Sequence, residues 1–152
     1  MKVRVAAIIT KSESILLVKH CRRGLSYWAF PGGSVQESET IVDALRRELL
    51  EETGLSIETG HLLYVVETID PSRTGVHTIN LFFLANVIGE IGDLAGQPSP
   101  GEHLDVPEFV PLAEMSKLEL YPDIGELVKR SIKNRFHEGC KYLGNLWSEN
   151  KD

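Results

Sequence analysis

The stretch "SETIVDALRRELLEET", ending at about Thr53, reads as one amphipathic helix and constrains the fold more than any other part of the chain. At about 100° per residue, Ile41, Val42, Leu45 and Leu49 make an apolar stripe. Glu48, Glu51 and Glu52 occupy the adjoining arc, with Glu52 nearest the stripe. Ser38 or Thr40 supplies an N-cap, and Gly54 is a natural stop. Three carboxylates so close together repel one another, and here they border the face that must be buried. A solvated helix face is the ordinary home of such acids. Their place at the edge of the core points instead to a shared cation. Hard ions such as Mg²⁺ or Mn²⁺ take several oxygen ligands, which a helix offers at i, i+3 and i+4. Arg47 stands beside Glu51 and four residues after Asp43, so it can pair with either.

The flanking segments read mainly as strands. "VRVAAII" and "ILLVKH" suggest a hairpin across the polar "TKSES". "YWAF" is a short aromatic strand ended by Pro31, Gly32 and Gly33, where two glycines let backbone approach a ligand closely. "HLLYVVETI" and "HTINLFFLANVI" are longer strands on either side of the turn "DPSRTG". Gly89 to His103 is a long Gly/Pro-rich loop, a candidate functional loop. "VPEFVPL" follows as a strand, "AEMSKL" as a helical turn, and a helix runs from near Pro122 to about Phe136. Residues 137–152 form a tail whose docking the sequence leaves open. The expectation is a single domain over residues 1–152, with a sheet flanked by helices.

Composition narrows the function. A net charge of −6 argues against non-specific nucleic-acid binding, which needs a basic footprint. No apolar run approaches the length of a membrane span, and the N-terminal apolar segment is too short for a secretory signal. Cys21 and Cys140 lie far apart with no zinc-ligand spacing, so a reducing, cytoplasmic setting is expected. An acidic protein can still take a polyanionic ligand when a divalent cation bridges the two.

Gly33, Glu39, Arg47, Glu48, Leu49, Glu51, Glu52, Gly54 and Leu55 fall on a fixed frame. It reads Gly, five residues, Glu, seven residues, then Arg-Glu-aliphatic-x-Glu-Glu-x-Gly-aliphatic. On every fixed position of that frame the chain resembles the Nudix hydrolase superfamily. "WAFPGG" before the box and "PEFVPLAEM" after it are also similar to the family. The resemblance implies an α/β/α sandwich around a mixed β-sheet. It also implies hydrolysis of a nucleoside diphosphate linked to some moiety X, by direct attack of activated water with Mg²⁺ or Mn²⁺. By the same resemblance Glu48, Glu51 and Glu52 hold metal, with the Gly32 carbonyl as a backbone ligand. Arg47 orients a glutamate, and Glu39 supports the loop or an outer coordination site. The general base is either a box glutamate or a distal loop acid, with Glu102 favoured, Asp105 second and Glu108 also in range.

Substrate choice rests on fewer residues. Pro71, sixteen residues beyond Leu55, resembles a marker of ADP-ribose pyrophosphatases, although proline is equally at home in a turn. Arg22, Arg23 and Arg73 are loop cations that can grip phosphate through forked hydrogen bonds. Trp28, like Tyr27 and Phe30, offers a ring for stacking on a base, though strand alternation buries some of the three. The expected partner is a small-molecule nucleotide, with ADP-ribose or a related nucleotide sugar first and a homodimer possible by analogy with ADP-ribose-cleaving relatives. The alternatives are a MutT-like nucleoside triphosphate pyrophosphohydrolase and a non-catalytic nucleotide sensor. Sensor modules of this family typically lose box glutamates, and this chain retains them.

Overall fold

The run Ile15-Leu16-Leu17-Val18 has no polar alternation, and all four side chains are fully buried. A strand buried on both faces belongs inside a layered structure. The computed structural model describes residues 1–22, 24–72, 76–94 and 104–148. Along the chain come β1 (Lys2–Ile8), β2 (Thr10–Lys11), β3 (Ser14–Arg22), β4 (Leu25–Ala29) and β5 (Gly32–Ser34). Then follow α1 (Ile41–Thr53), β6 (Ile57–Ile69), β7 (His77–Val87), β8 (Leu104–Pro111), α2 (Leu112–Met115), α3 (Gly125–Lys133) and β9 (Lys141–Asn145). One mixed sheet has the order β5-β1-β7-β6-β9, with β1 parallel to β7 and β9 parallel to β6. In the other sheet β3 pairs antiparallel with β2, β4 and β8.

Two apolar clusters make the pair of sheets a single middle layer. On one side Val5, Ala7, Ala85 and Leu16 pack against Ala44, Leu45 and Leu49 of α1. On the other, Ile8, Tyr64, Val66 and Phe82 meet Ile15, Leu17 and Val110, under Met115 and Val128 of α2 and α3. Helices therefore cover both faces, and the architecture is the expected α/β/α sandwich with a mixed sheet. Among the described residues no helix is long and apolar enough to cross a membrane.

The hairpin expected between "VRVAAII" and "ILLVKH" does not form. Only the two residues of β2 fold back on the start of β3, while β1 enters the mixed sheet between β5 and β7. The reason is burial. Val5, Ala7 and Ile8 serve both clusters, so β1 needs neighbours on both edges. Gly32 makes the β5 edge possible, because a Cβ there would stand 1.9 Å from the Val5 carbonyl oxygen.

The helix reading holds at its ends and shifts on one face. Thr40 Oγ1 accepts the Asp43 N–H at 3.1 Å, and Gly54 closes the helix at φ 75°. Ile41 is 38% exposed, so the buried stripe begins a turn later, at Ala44 and Leu45. The tail acquires structure by edge pairing. β9 adds to β6, the Leu146 N–H donates to the Glu67 carbonyl, and the Tyr142 hydroxyl donates to the Glu67 carboxylate.

Candidate active site

Arg47 organises the acids. Its Nη2 and Nε grip Glu39 at 2.7 and 3.1 Å, Nη1 reaches Glu48 at 3.0 Å and Glu51 at 3.3 Å, and Nη2 also donates to the Ser34 carbonyl. One guanidinium thus ties the β5–α1 loop to the last turns of the helix. The hydrogen bond from Arg47, then the Gln36 N–H, holds the Glu39 carboxyl below the usual carboxylate range. The salt bridge to Asp43 that the spacing allowed goes to Arg46 instead, at 3.7 Å.

Glu52 is placed differently, on the other edge of the same arc. It faces the sheet, where the Gly32 N–H donates to its Oε1 at 3.1 Å. Burial pushes its carboxyl up to about 7, the Gly32 N–H opposes that, and the charges of Asp105 and Glu48 add to it. This acid stands against like charges at the core boundary, as the helix pattern implied.

Glu48 and Glu52 open onto a cavity of about 450 Å³ whose wall includes Gly32, Gly33, His20, Tyr27 and Asp105. His20 Nδ1 lies 2.6 Å from Asp105 Oδ1, and its ring stacks on Tyr27 with centroids 5.2 Å apart. The far floor is the α3-side face of the mixed sheet, where Thr68, Thr78 and Asn80 are buried polar residues and Lys2 and Arg4 line the mouth.

Of the residues singled out from sequence, the fold brings Glu48, Glu52, Gly32 and Asp105 to this cavity. Arg47 and Glu39 sit behind it. Glu51 does not line the cavity; its side chain is 58% exposed and held by Arg47. Trp28 lies beneath Lys19, whose Nζ is 5.9 Å from the ring centroid, and packs on the core cluster. Strand alternation turns its neighbour Tyr27 to the cavity instead. Glu108 is exposed on β8. Arg23, Arg73 and Glu102, like the side chain of Arg22, lie outside the described residues.

Sequence reasoning missed His20, Lys2, Arg4, Thr68, Thr78 and Asn80. A signal was present for Lys2, Arg4, Thr78 and Asn80. In "KVRV" and "HTIN" polar side chains recur every second residue beside apolar ones, and in "VETI" Thr68 adds a polar residue near the end of an otherwise apolar strand.

The donor set suits a hard divalent cation. Glu48 and Glu52 are carboxylates on one wall, with a glycine backbone beside them and mutual repulsion that raises the Glu52 carboxyl. Gly33 keeps the Glu48 carboxylate in place, since a Cβ there would lie 2.1 Å from its carboxyl carbon. Among the described residues no three acidic, histidine or cysteine side chains close on one point. The Arg47 guanidinium spreads the box acids along itself. Gly33→Ala is therefore expected to displace Glu48 and weaken divalent-ion binding by about 10-fold or more. Titration with Mn²⁺ followed by its paramagnetic effect on water relaxation checks this.

Known proteins are similar to this chain in sequence and in fold. The family model described as NUDIX domain matches residues 1–131. An ADP-ribose pyrophosphatase of Methanocaldococcus jannaschii is 36% identical over 117 residues, covering 76% of this chain and 65% of the relative. Other curated relatives are matched over about half their length, 47%. A solved ADP-ribose pyrophosphatase from Streptococcus suis 89-1591 shares the fold at a TM-score of 0.66 and 21% identity, over 95% of this chain and 98% of that one. A MutT NUDIX hydrolase from Burkholderia pseudomallei superposes at 0.61 with 29% identity, over 74% and 84% of the two chains. With the box complete and the profile spanning everything from β1 into α3, the chain belongs to the NUDIX domain family.

Proposed function

We propose that this protein hydrolyses the diphosphate linkage of a nucleoside diphosphate joined to a moiety X, with ADP-ribose or a related nucleotide sugar as the substrate. The observation that carries this reading is the juxtaposition of Glu48 and Glu52 with the Gly32–Gly33 backbone on the wall of a cavity large enough for a nucleotide. Glu48, Glu52 and the Gly32 carbonyl are the groups that would hold Mg²⁺ or Mn²⁺, with Glu51 the third acid of the box. A cation bound there neutralises charge on the diphosphate oxygens and makes nearby water more acidic.

The chain's own residues supply the rest. Arg47 fixes Glu48 and Glu51 in one hydrogen-bonded row, so the acids are oriented before substrate arrives. The Gly32 N–H holds the Glu52 carboxylate from the sheet side. Proton removal from the attacking water falls to an acid of the segment beyond β7. Glu102 is the candidate from the sequence pattern, and Asp105 is the one that lines the cavity. His20, bonded to Asp105, fixes the direction of that carboxylate.

The M. jannaschii relative, described as an ADP-ribose pyrophosphatase, supports ADP-ribose as the first substrate to assay. Similarity to a MutT hydrolase keeps nucleoside triphosphate pyrophosphohydrolysis as the second reading. The test is product analysis by ion-exchange chromatography after incubation with ADP-ribose, UDP-glucose, ATP and dGTP, each with Mg²⁺, Mn²⁺ or EDTA. The expected outcome is AMP and ribose 5-phosphate from ADP-ribose with either metal, and none with EDTA. Faster pyrophosphate release from a triphosphate would move the assignment to the second reading. Binding of ADP-ribose without turnover under either metal would make the protein a sensor.

A further inference from the structure

The register of the mixed sheet places the cavity floor in rows across β1, β7 and β6. The first row is Ala6, Phe82 and Tyr64, beside Gly32, at the acid end. The second is Arg4, Asn80 and Val66, and the third is Lys2, Thr78 and Thr68. Rows are two residues apart, so each lies about 7 Å beyond the last. In the first row the face is apolar and belongs to the core. In the next two, apart from the core residue Val66, it becomes polar and cationic while remaining part of the cavity.

That change needs a reason, because Thr68, Thr78 and Asn80 are buried where apolar side chains would pack more cheaply. Asn80 Nδ2 donates to the Val66 carbonyl and to Thr68 Oγ1, each at 3.4 Å, which sets the carboxamide within the row. Lys2 and Arg4 neither hydrogen-bond nor ion-pair with another described side chain. Two cations with no hydrogen-bond or ion-pair partner among the described side chains, on one strand face at the mouth of a cavity whose other end is acidic, are arranged for a ligand that is anionic along part of its length. Arg4 stands close enough to Glu52 to lower its carboxyl pKa slightly against the effect of burial.

We propose that β1 carries a two-step track for the substrate. Arg4 grips the phosphate that the box acids do not serve, and Lys2, with Thr78 and Thr68, receives the polar group beyond it. This rests on the nucleoside diphosphate reading above and extends it to residues outside the box. Arg4 is a binding and positioning residue, and its guanidinium gives the cavity its preference for two phosphates over one. A ligand ending in an apolar group would strand the third row.

The test compares two ligands that are not cleaved, α,β-methylene-ADP and AMP, by calorimetric titration in MgCl₂. Wild-type protein is expected to bind the diphosphate analogue more tightly. Arg4→Gln should lose on the order of 10- to 100-fold in affinity for the analogue, the value of a charged hydrogen bond to phosphate, with AMP changed less than about 2-fold. Arg4→Lys should recover only part, since it restores charge without the fork. Lys2→Gln should give a smaller loss of the same sign. In turnover, Arg4→Gln should raise KM for ADP-ribose by a similar factor and leave kcat within about 2- to 3-fold. Unchanged affinity in Arg4→Gln, or equal losses for both ligands, overturns the track. If wild-type protein cleaves no nucleoside diphosphate conjugate yet Arg4→Gln still loses the analogue selectively, the hydrolase reading fails and the track stands. Arg4 is an exposed side chain, so thermal melting of the variants should match wild type.

Discussion

Glu52→Gln is expected to lower kcat for ADP-ribose by at least on the order of 10²-fold while raising the melting temperature of the metal-free protein. The activity loss follows from removing the acid that faces both the glycine backbone and the cavity. Displacing even a supporting partner of a metal ligand typically costs 10- to 100-fold, and a ligand costs more. The stability gain follows from electrostatics. In the folded chain this carboxyl is pushed up to about 7 by burial and by Asp105 and Glu48, against an ordinary value of 4.5. A raised acid binds more protons folded than unfolded, so its contribution is greatest below pH 4.5 and is lost as pH rises through about 7. At pH 8 the full penalty applies, on the order of 3 kcal/mol from the size of the shift. Glutamine keeps an acceptor for the Gly32 N–H and removes the charge. Thermal melts at pH 5 and pH 8 in EDTA check this: the variant should exceed wild type at pH 8 and approach it at pH 5. Mg²⁺ should restore much of the deficit in wild type and little in the variant. A variant less stable than wild type at pH 8 would show that the carboxylate is not under strain.

Replacing Arg47 should produce the second large effect, and lysine should not rescue it. The guanidinium makes a fork to Glu39, a bond to Glu48, another to Glu51 and one to the Ser34 carbonyl. An ammonium has three donors from a single nitrogen and cannot span these directions at once. Arg47→Ala is expected to reduce kcat by about 10²-fold, since the acids lose their common anchor and the β5–α1 loop its tie to the helix. Arg47→Lys should fall within about 10-fold of the alanine variant. The same measurements should show a lower melting temperature in both, because Glu39, Glu48 and Glu51 are left with one cation fewer. Activity in Arg47→Lys near wild type would mean that charge alone suffices and the fork is incidental. Steady-state kinetics, paired with hydrogen exchange at residues 34–40, separates loss of the anchor from loss of the fold.

The two experiments sit on opposite edges of one helix arc, and they divide the box acids. Glu48 and Glu51 share Arg47, whereas Glu52 has a backbone N–H and a boundary position. The helix pattern sets Glu52 nearest the apolar stripe, but not how differently the three acids are held. In the fold Glu51 is exposed and Glu52 is not, and the difference arises from a rotation of about 100° between successive residues of α1.

Legibility from sequence followed the range of the interactions. The helix, its Thr40 cap and Gly54 stop, the strands around "DPSRTG" and the placement of acids against the core are all set by residues within a few positions of each other. β1 could not be paired correctly, because its neighbours are Gly32–Ser34 and His77–Val87, and nothing local to residues 2–8 selects them over the adjacent "ILLVKH". The tail was equally undecidable. β9 forms only because the edge of β6 offers open hydrogen-bonding groups.

The chain alone therefore determines that an acid-bearing, well-capped helix exists, that it borders a core, and that the full spacing of the Nudix box is present. Those properties depend on helix geometry and on neighbours in sequence. Only the tertiary structure decides which acids open onto a cavity, that His20 meets Asp105 across 85 positions, and that Arg4 and Lys2 share a floor with Asn80 and Thr78. Those placements come from sheet register, which is selected by burial on both faces of the middle layer and is invisible until distant strands are laid side by side.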